Sequence, residues 1–310
     1  MNGFDNVSAY RIDAATGALN RSPMTEANTQ LYFDAPMQRV DTGTARLACR
    51  RYGSGSPLLL VHGFPLSGFT WRKVLPELSK RHTCYVPDLP GMGESEWTDK
   101  TDFSFPGQAQ ALKALVDRLG LEHYSVLAQD TGGTFARYLA LADGARLEKL
   151  VLINTEVPHH RPPWVPLYQL LMTVPGALAC FALLLRSRLF LRSGMGFGGC
   201  FIDLGLLEGD FHEHVIQPLL RSPLRMEGMG RYLRGLMWGP VDALEQAHAR
   251  ITMPVQLTWG TDDPTFPVEY ARRMVKQLPD ARLVEIPGAR LLVHEEKPAE
   301  VARAALSFLG

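Results

Sequence analysis

The sequence predicts an α/β fold: a doubly wound, mostly parallel eight-stranded sheet with an inserted helical cap. Three observations predict it. Short apolar runs alternate with helical periodicity through residues 35–156, as in a parallel sheet with helices on both faces. The rhythm stops over residues 157–250, which are rich in Pro, Arg, Leu and Gly and hold helical stretches but no clear strand. It resumes over residues 251–310, so the interruption reads as an insertion at one crossover of a single core domain.

The elements follow in order. Residues 1–34 are polar and read as a partly ordered N-terminal extension, without the charged start and apolar run of a secretory signal. Residues 38–42 and 46–51 read as edge strands around a Thr-Gly turn, and 57–61 is apolar throughout, as a strand buried on both faces must be. A helix over 67–79, a strand over 83–87 and a helix over 105–119 come next. Residues 124–129 form a strand, 134–143 a helix and 150–154 a buried strand. After the cap, 255–259 and 282–286 are strands, each followed by a helix, over 268–277 and 298–309. Within the cap, residues 167–185 carry no charge and are about long enough to cross a bilayer. Pro175-Gly176 breaks that run, and Tyr168, Gln169 and Thr173 dilute it. It therefore reads as a buried amphipathic pair of helices, and no membrane contact is expected.

Composition narrows the function. The chain has 310 residues, 46% of them hydrophobic, and balances 32 basic against 32 acidic side chains. No global field draws in nucleic acid or an anionic surface, so a small apolar or neutral molecule is the expected partner, and a homodimer is compatible with such a surface. Cys49, Cys84, Cys180 and Cys200 are scattered, with neither metal-ligand spacing nor a disulfide framework, which fits a reducing, cytoplasmic setting. Gly91-Met92-Gly93 lacks the third glycine and the strand context of a dinucleotide site, so no cofactor or metal is expected.

Tyr124-Ser125-Val126-Leu127-Ala128-Gln129-Asp130-Thr131-Gly132-Gly133 is an apolar strand that ends at an acid and passes through two glycines into a helix. That is the layout of a nucleophile elbow with aspartate at its tip, Ala128 and Gly132 being the small flanking residues that allow the sharp bend. Capping of the following helix is the plainer role open to Asp130. A carboxylate nucleophile attacks carbon directly and leaves an alkyl ester, a chemistry suited to epoxides and halides. Three further motifs sit at strand ends: His62-Gly63-Phe64-Pro65, Asp88-Leu89-Pro90-Gly91-Met92-Gly93-Glu94-Ser95 and Trp259-Gly260-Thr261-Asp262-Asp263-Pro264.

In this order and spacing the motifs resemble the α/β-hydrolase superfamily, in the branch containing epoxide hydrolases and haloalkane dehalogenases, over residues 35–310. The resemblance implies Asp130 as nucleophile and the amides of Phe64 and Thr131 as the oxyanion hole, a device worth about 3 kcal/mol per donor. His62 and the loop from Asp88 to Ser95 are structural on the same reading. Asp263 is the implied acid that orients the base, with Asp262 its exposed neighbour and Glu156, at the end of the sixth strand, the alternative acid.

The base departs from the pattern. The family runs Gly-His-Phe ahead of Glu-x-Pro, and aligning on Glu296-Lys297-Pro298 puts Leu291 at the histidine position. His294, three residues on, is then the expected general base, its other reading being a surface histidine at a helix start. Trp164, Tyr168, Tyr232 and Trp238 of the cap are expected to contact substrate under a greasy lid that raises the pKa of Asp130. Epoxide hydrolases use cap tyrosines to protonate the leaving alkoxide, a role for which Tyr168 and Tyr232 are the candidates. Thr131 stands where a dehalogenase usually has tryptophan to hold the halide. The expectation is therefore an epoxide hydrolase-like enzyme acting on a small apolar substrate, with halide displacement second. A non-hydrolytic enzyme or ligand-binding protein on the same fold is the reading from another class, because of Leu291.

Overall fold

The computed structural model describes residues 10–12, 19–21 and 23–310. Eight strands carry the sheet: β1 Met37–Asp41, β2 Ala45–Tyr52, β3 Ser56–Val61, β4 His82–Pro87, β5 Tyr124–Gln129, β6 Leu147–Ile153, β7 Val255–Gly260 and β8 Ala281–Ile286. Their spatial order is β8-β7-β6-β5-β3-β4-β2-β1. β1, β2 and β4 pair antiparallel and the remaining pairs are parallel, with the two-residue strand Glu96–Trp97 added beside β2. Every position of β5 and β7 is buried, the polar Ser125, Gln129, Gln256 and Thr258 included, as befits central strands of a parallel sheet covered on both faces.

Register positions the site. Val61 faces Ala128, Ala128 faces Leu152, and Gln129 faces Ile153, so β3, β5 and β6 end level with one another. The loops leaving their carboxyl ends therefore meet at one rim of the sheet, where ligands bind in open α/β folds.

Between β6 and β7 the chain forms a run of helices, among them Trp164–Leu171, Ala177–Leu185, Pro223–Gly235 and Trp238–Ala247. The pair at Trp164–Leu171 and Ala177–Leu185 breaks at Pro175-Gly176, with Gly176 at φ 83°. It is not a buried pair, which corrects the sequence reading. The first helix has no buried residue and the second only Leu185, because their inner faces roof a cavity and nothing among the described residues covers their outer faces. Among the described residues no helix is long and apolar enough to cross a membrane.

The expected N-terminal extension lies partly outside the described residues. Its described part holds a short hairpin, Tyr10–Ile12 with Leu19–Arg21, and the helix Pro23–Asp34. That helix ties core to cap: the Thr29 hydroxyl donates to Asp210 Oδ2 at 2.5 Å, and Tyr32 is buried against Tyr52 and Phe69.

Candidate active site

The elbow is built as its residues require. Asp130 adopts φ 52° and ψ −133°, a left-handed conformation rare for a side-chain-bearing residue, and its N–H is held by the carbonyls of Ile153 and Asn154 at 3.1 and 3.0 Å. Two glycines make room for it. A Cβ at Gly63 would lie 2.4 Å from Asp130 Cβ and 2.5 Å from its Oδ2, and one at Gly132 would lie 2.4 Å from the His62 carbonyl. The helix Thr131–Asp143 then leaves the elbow with Asp130 as its N-cap, yet the Asp130 side chain makes no cap hydrogen bond. Instead Oδ2 accepts from the backbone amide of Phe64 at 2.8 Å, and the amide of Thr131 also donates to the carboxylate. The turn holding Phe64 is braced by His62, whose Nδ1 donates to Gly63 O at 2.8 Å and whose Nε2 accepts from the Leu89 amide at 2.9 Å. Burial drives the His62 pKa down to about 4, so the ring stays neutral in this role.

Asp130 and Glu156 line a cavity of about 150 Å³ with largely apolar walls, enough for a ligand of roughly benzene size. Its roof includes Trp164, Tyr168, Phe181, Phe190 and Trp238, and its walls Phe105, Phe197, Cys200, Thr265 and Leu291. A more polar cavity of about 240 Å³ lies against Tyr32, Arg50, Asp88 and His214 and reaches neither carboxyl.

Glu156 is 3% exposed, and its Oε2 accepts from the hydroxyls of Thr134 and Thr155 at 2.6 and 3.1 Å. The Thr155 hydroxyl is shared, since it also donates to Asp130 O at 2.7 Å, the shorter of its two contacts. Beneath both residues sits the fully buried Arg137, whose Nη2 donates to Glu156 O at 2.7 Å. Burial raises the pKa of Asp130 well above the usual carboxylate range, and Glu156 and Asp263 raise it further, against the Phe64 and Thr131 amides. Burial likewise raises that of Glu156.

Asp263 is held by Asn154 and by its own loop rather than by an imidazole. Its Oδ2 accepts from Asn154 Nδ2 at 2.7 Å and its Oδ1 from the Thr265 amide at 2.8 Å. Burial lifts its pKa to about 7. Asp262 is exposed beside it.

His294 does not reach the carboxyls, which corrects the expected base. Its Nε2 lies 2.6 Å from Thr70 Oγ1, its ring packs on Trp71 at 4.8 Å between centroids, and it lines no part of the cavity. The physical cause is the neighbouring ion cluster. The short helix Val293–Glu296 is drawn onto residues 68–73 by Glu295, which accepts from Arg72 at 2.6 Å and from Lys73 at 3.0 Å, both nearly fully buried. Nor is His294 a surface residue: burial, with Arg72 and Lys73 close by, lowers its pKa to about 4. Leu291 remains on the cavity wall, where the chain from Arg290 to Leu292 is pinned to the cap through Arg290 to Gly198 O and Leu292 to Cys200 O at 3.0 and 3.3 Å.

The four cap aromatics divide. Trp164, Tyr168 and Trp238 line the cavity, and Trp238 Nε1 is buried without a hydrogen-bond partner. The Tyr168 hydroxyl is engaged by Met195 O. Tyr232 lies behind Thr131, its hydroxyl 2.8 Å from Thr131 Oγ1 and its ring against Phe64, and does not line the cavity. Sequence reasoning missed Arg137 and Cys200. A lone cation inside the otherwise apolar elbow helix was the available signal for Arg137; Cys200 had none.

Comparison with known proteins agrees with this architecture. A family model described as alpha/beta hydrolase fold matches residues 56–175. Haloalkane dehalogenase 2 of Mycobacterium tuberculosis is 26% identical over 272 residues, spanning 87% of this chain and 93% of the relative. The magnesium-chelatase 30 kDa subunit of Rhodobacter capsulatus is 30% identical over 256 residues, spanning 83% and 84%. A soluble epoxide hydrolase of Corynebacterium sp. is 30% identical over 271 residues, spanning 83% and 91%. Among solved structures, the ligand-free epoxide hydrolase CorEH superposes with a TM-score of 0.75 at 23% identity, over 88% of this chain and 98% of that one, a likeness of fold.

Proposed function

We propose, for a chain that belongs to the α/β-hydrolase fold family and is a hydrolase of the epoxide hydrolase and haloalkane dehalogenase type, that Asp130 opens a small apolar epoxide and that Glu156 carries the protons. The observation that carries this reading is the sharing of one apolar cavity floor by two buried carboxyls, with no imidazole among the described residues that line it. Two adjacent buried carboxyls favour holding one proton between them. With Oδ2 resting on the Phe64 amide, Oδ1 is the oxygen left to attack.

In the first step Asp130 Oδ1 bonds to an epoxide carbon, the ring C–O bond breaks, and protonated Glu156 gives its proton to the released oxygen. The product is a hydroxyalkyl ester on Asp130 and a carboxylate on Glu156. Water then adds to the ester carbon while Glu156 takes its proton, and negative charge develops on Oδ2 against the amides of Phe64 and Thr131. Collapse expels the diol oxygen, which takes that proton from Glu156, and Asp130, left as the acid, returns its proton to Glu156. Both cap tyrosines have engaged hydroxyls, which favours Glu156 as the ring-opening acid. Halide displacement is the second reading, favoured by the unpartnered Trp238 indole N–H as a donor for a departing anion.

Incubation with short aliphatic epoxides, followed by product analysis and intact mass, tests the proposal. The parent chain is expected to release diol, and Asp130→Asn to release none and gain no mass. Absence of both diol and adduct from the parent chain would leave a binding protein on this fold.

A further inference from the structure

We propose that the outer face of the cap docks on a lipid bilayer bearing anionic headgroups. The helices Trp164–Leu171 and Ala177–Leu185 turn Trp164, Tyr168 and Phe181 inward to the cavity and leave their opposite sides bare. Leu170 is 65% exposed, Val174 54%, Leu183 63% and Leu189 84%. One such leucine is ordinary on a soluble surface, but six leucines and a valine exposed between residues 167 and 189 mark an interaction site.

Charge decides the occupant. Residues 157–202 contain no acid, while Arg186, Arg188 and Arg192 stand exposed at the end of the apolar face. The nearest counter-charge is Glu208, 3.6 Å from both Arg188 and Arg192. Apolar side chains flanked by arginine are the composition that seats an amphipathic helix in the interface of an anionic leaflet. A second copy of the chain fits worse. A two-fold contact brings the same patch onto itself, so six arginines would meet two copies of Glu208 and the contact would carry a net positive charge. The bilayer also accounts for the placement, since the same two helices that face outward roof the cavity, so an apolar molecule dissolved in the membrane meets the roof directly. The sequence reading gave membrane contact no support because it took these faces as buried; their exposure removes that ground.

Flotation of the full chain with vesicles of phosphatidylcholine alone, and of phosphatidylcholine mixed with phosphatidylglycerol, tests this. The chain is expected to float with the mixed vesicles, less so at high salt, and weakly with the neutral ones. Each surface arginine contributes roughly fivefold to partitioning, so Arg186→Gln, Arg188→Gln and Arg192→Gln together should lower it about 100-fold. Leu170→Glu with Leu183→Glu should abolish it while the circular dichroism spectrum stays that of the parent, both sites being exposed. No flotation, or flotation indifferent to lipid charge and to the arginine changes, overturns the proposal. So does a dimer in light scattering that the leucine changes dissolve without any vesicle binding, which would give the face to a second copy.

Discussion

Glu156→Gln separates the chemistry of the two carboxyls. The amide keeps the volume of the side chain and an oxygen to accept from Thr134 and Thr155, so the cavity floor keeps its shape. On the proposed mechanism, what is lost is the proton acceptor. Positioned general bases contribute about 10²- to 10⁴-fold, roughly 3 to 5 kcal/mol of barrier. Buried Arg137 also loses its neighbouring carboxylate, at a cost on the order of 3 kcal/mol, so the assay belongs well below the melting temperature. A short primary alkyl bromide is the informative probe, since its leaving group needs no proton. Rapid-quench intact mass is expected to show a transient ester in the parent chain and near-stoichiometric ester on Asp130 in the variant, hydrolysing about 100- to 10,000-fold more slowly. Ester hydrolysis at the parent rate in Glu156→Gln would refute the reasoning.

Three other outcomes follow from the same geometry. Leu291→His in the Glu156→Gln background puts an imidazole on the cavity wall and should restore ester hydrolysis at least about tenfold, measured by decay of the adduct mass. His294→Gln should leave turnover of the folded enzyme within about twofold while flattening the acid limb of its stability. The pKa of His294 is about 4 in the fold against 6.5 ordinarily, so below 6.5 the unfolded chain binds a proton that the folded one refuses. Stability therefore falls between those two values and levels off beneath them, by about 3 kcal/mol for this residue, a loss that denaturant midpoints across that range will read. Gly63→Ala drives a methyl group into the Asp130 carboxyl and should cost at least about 100-fold in turnover, with Asp130 no longer alkylated in the mass assay.

Much of the fold was legible because its signals are local. Alternation of apolar runs with helical periodicity named the strands of the sheet and the place where the cap enters, since burial on both faces writes itself into consecutive residues. The glycines around the elbow were equally readable, because a backbone that must approach Asp130 closely admits no Cβ at Gly63 or Gly132. The segment Pro23–Asp34 was harder to read as a helix, since its apolar residues form no clear stripe and its anchor, Asp210, is far away in the chain.

The sequence by itself therefore determined the sheet and the elbow, each a matter of neighbours along the chain. Only the tertiary structure decided where His294 went. Three residues past Leu291 the main chain can turn either way, and the buried attraction of Glu295 for Arg72 and Lys73, more than 200 positions distant, took the imidazole to Thr70. The same holds for Glu156, which meets Asp130 because β5 and β6 end in register, and for the cap helices, whose apolar outer faces are bare because nothing else among the described residues covers them. A side chain's identity is local, but its company is set by packing between distant segments.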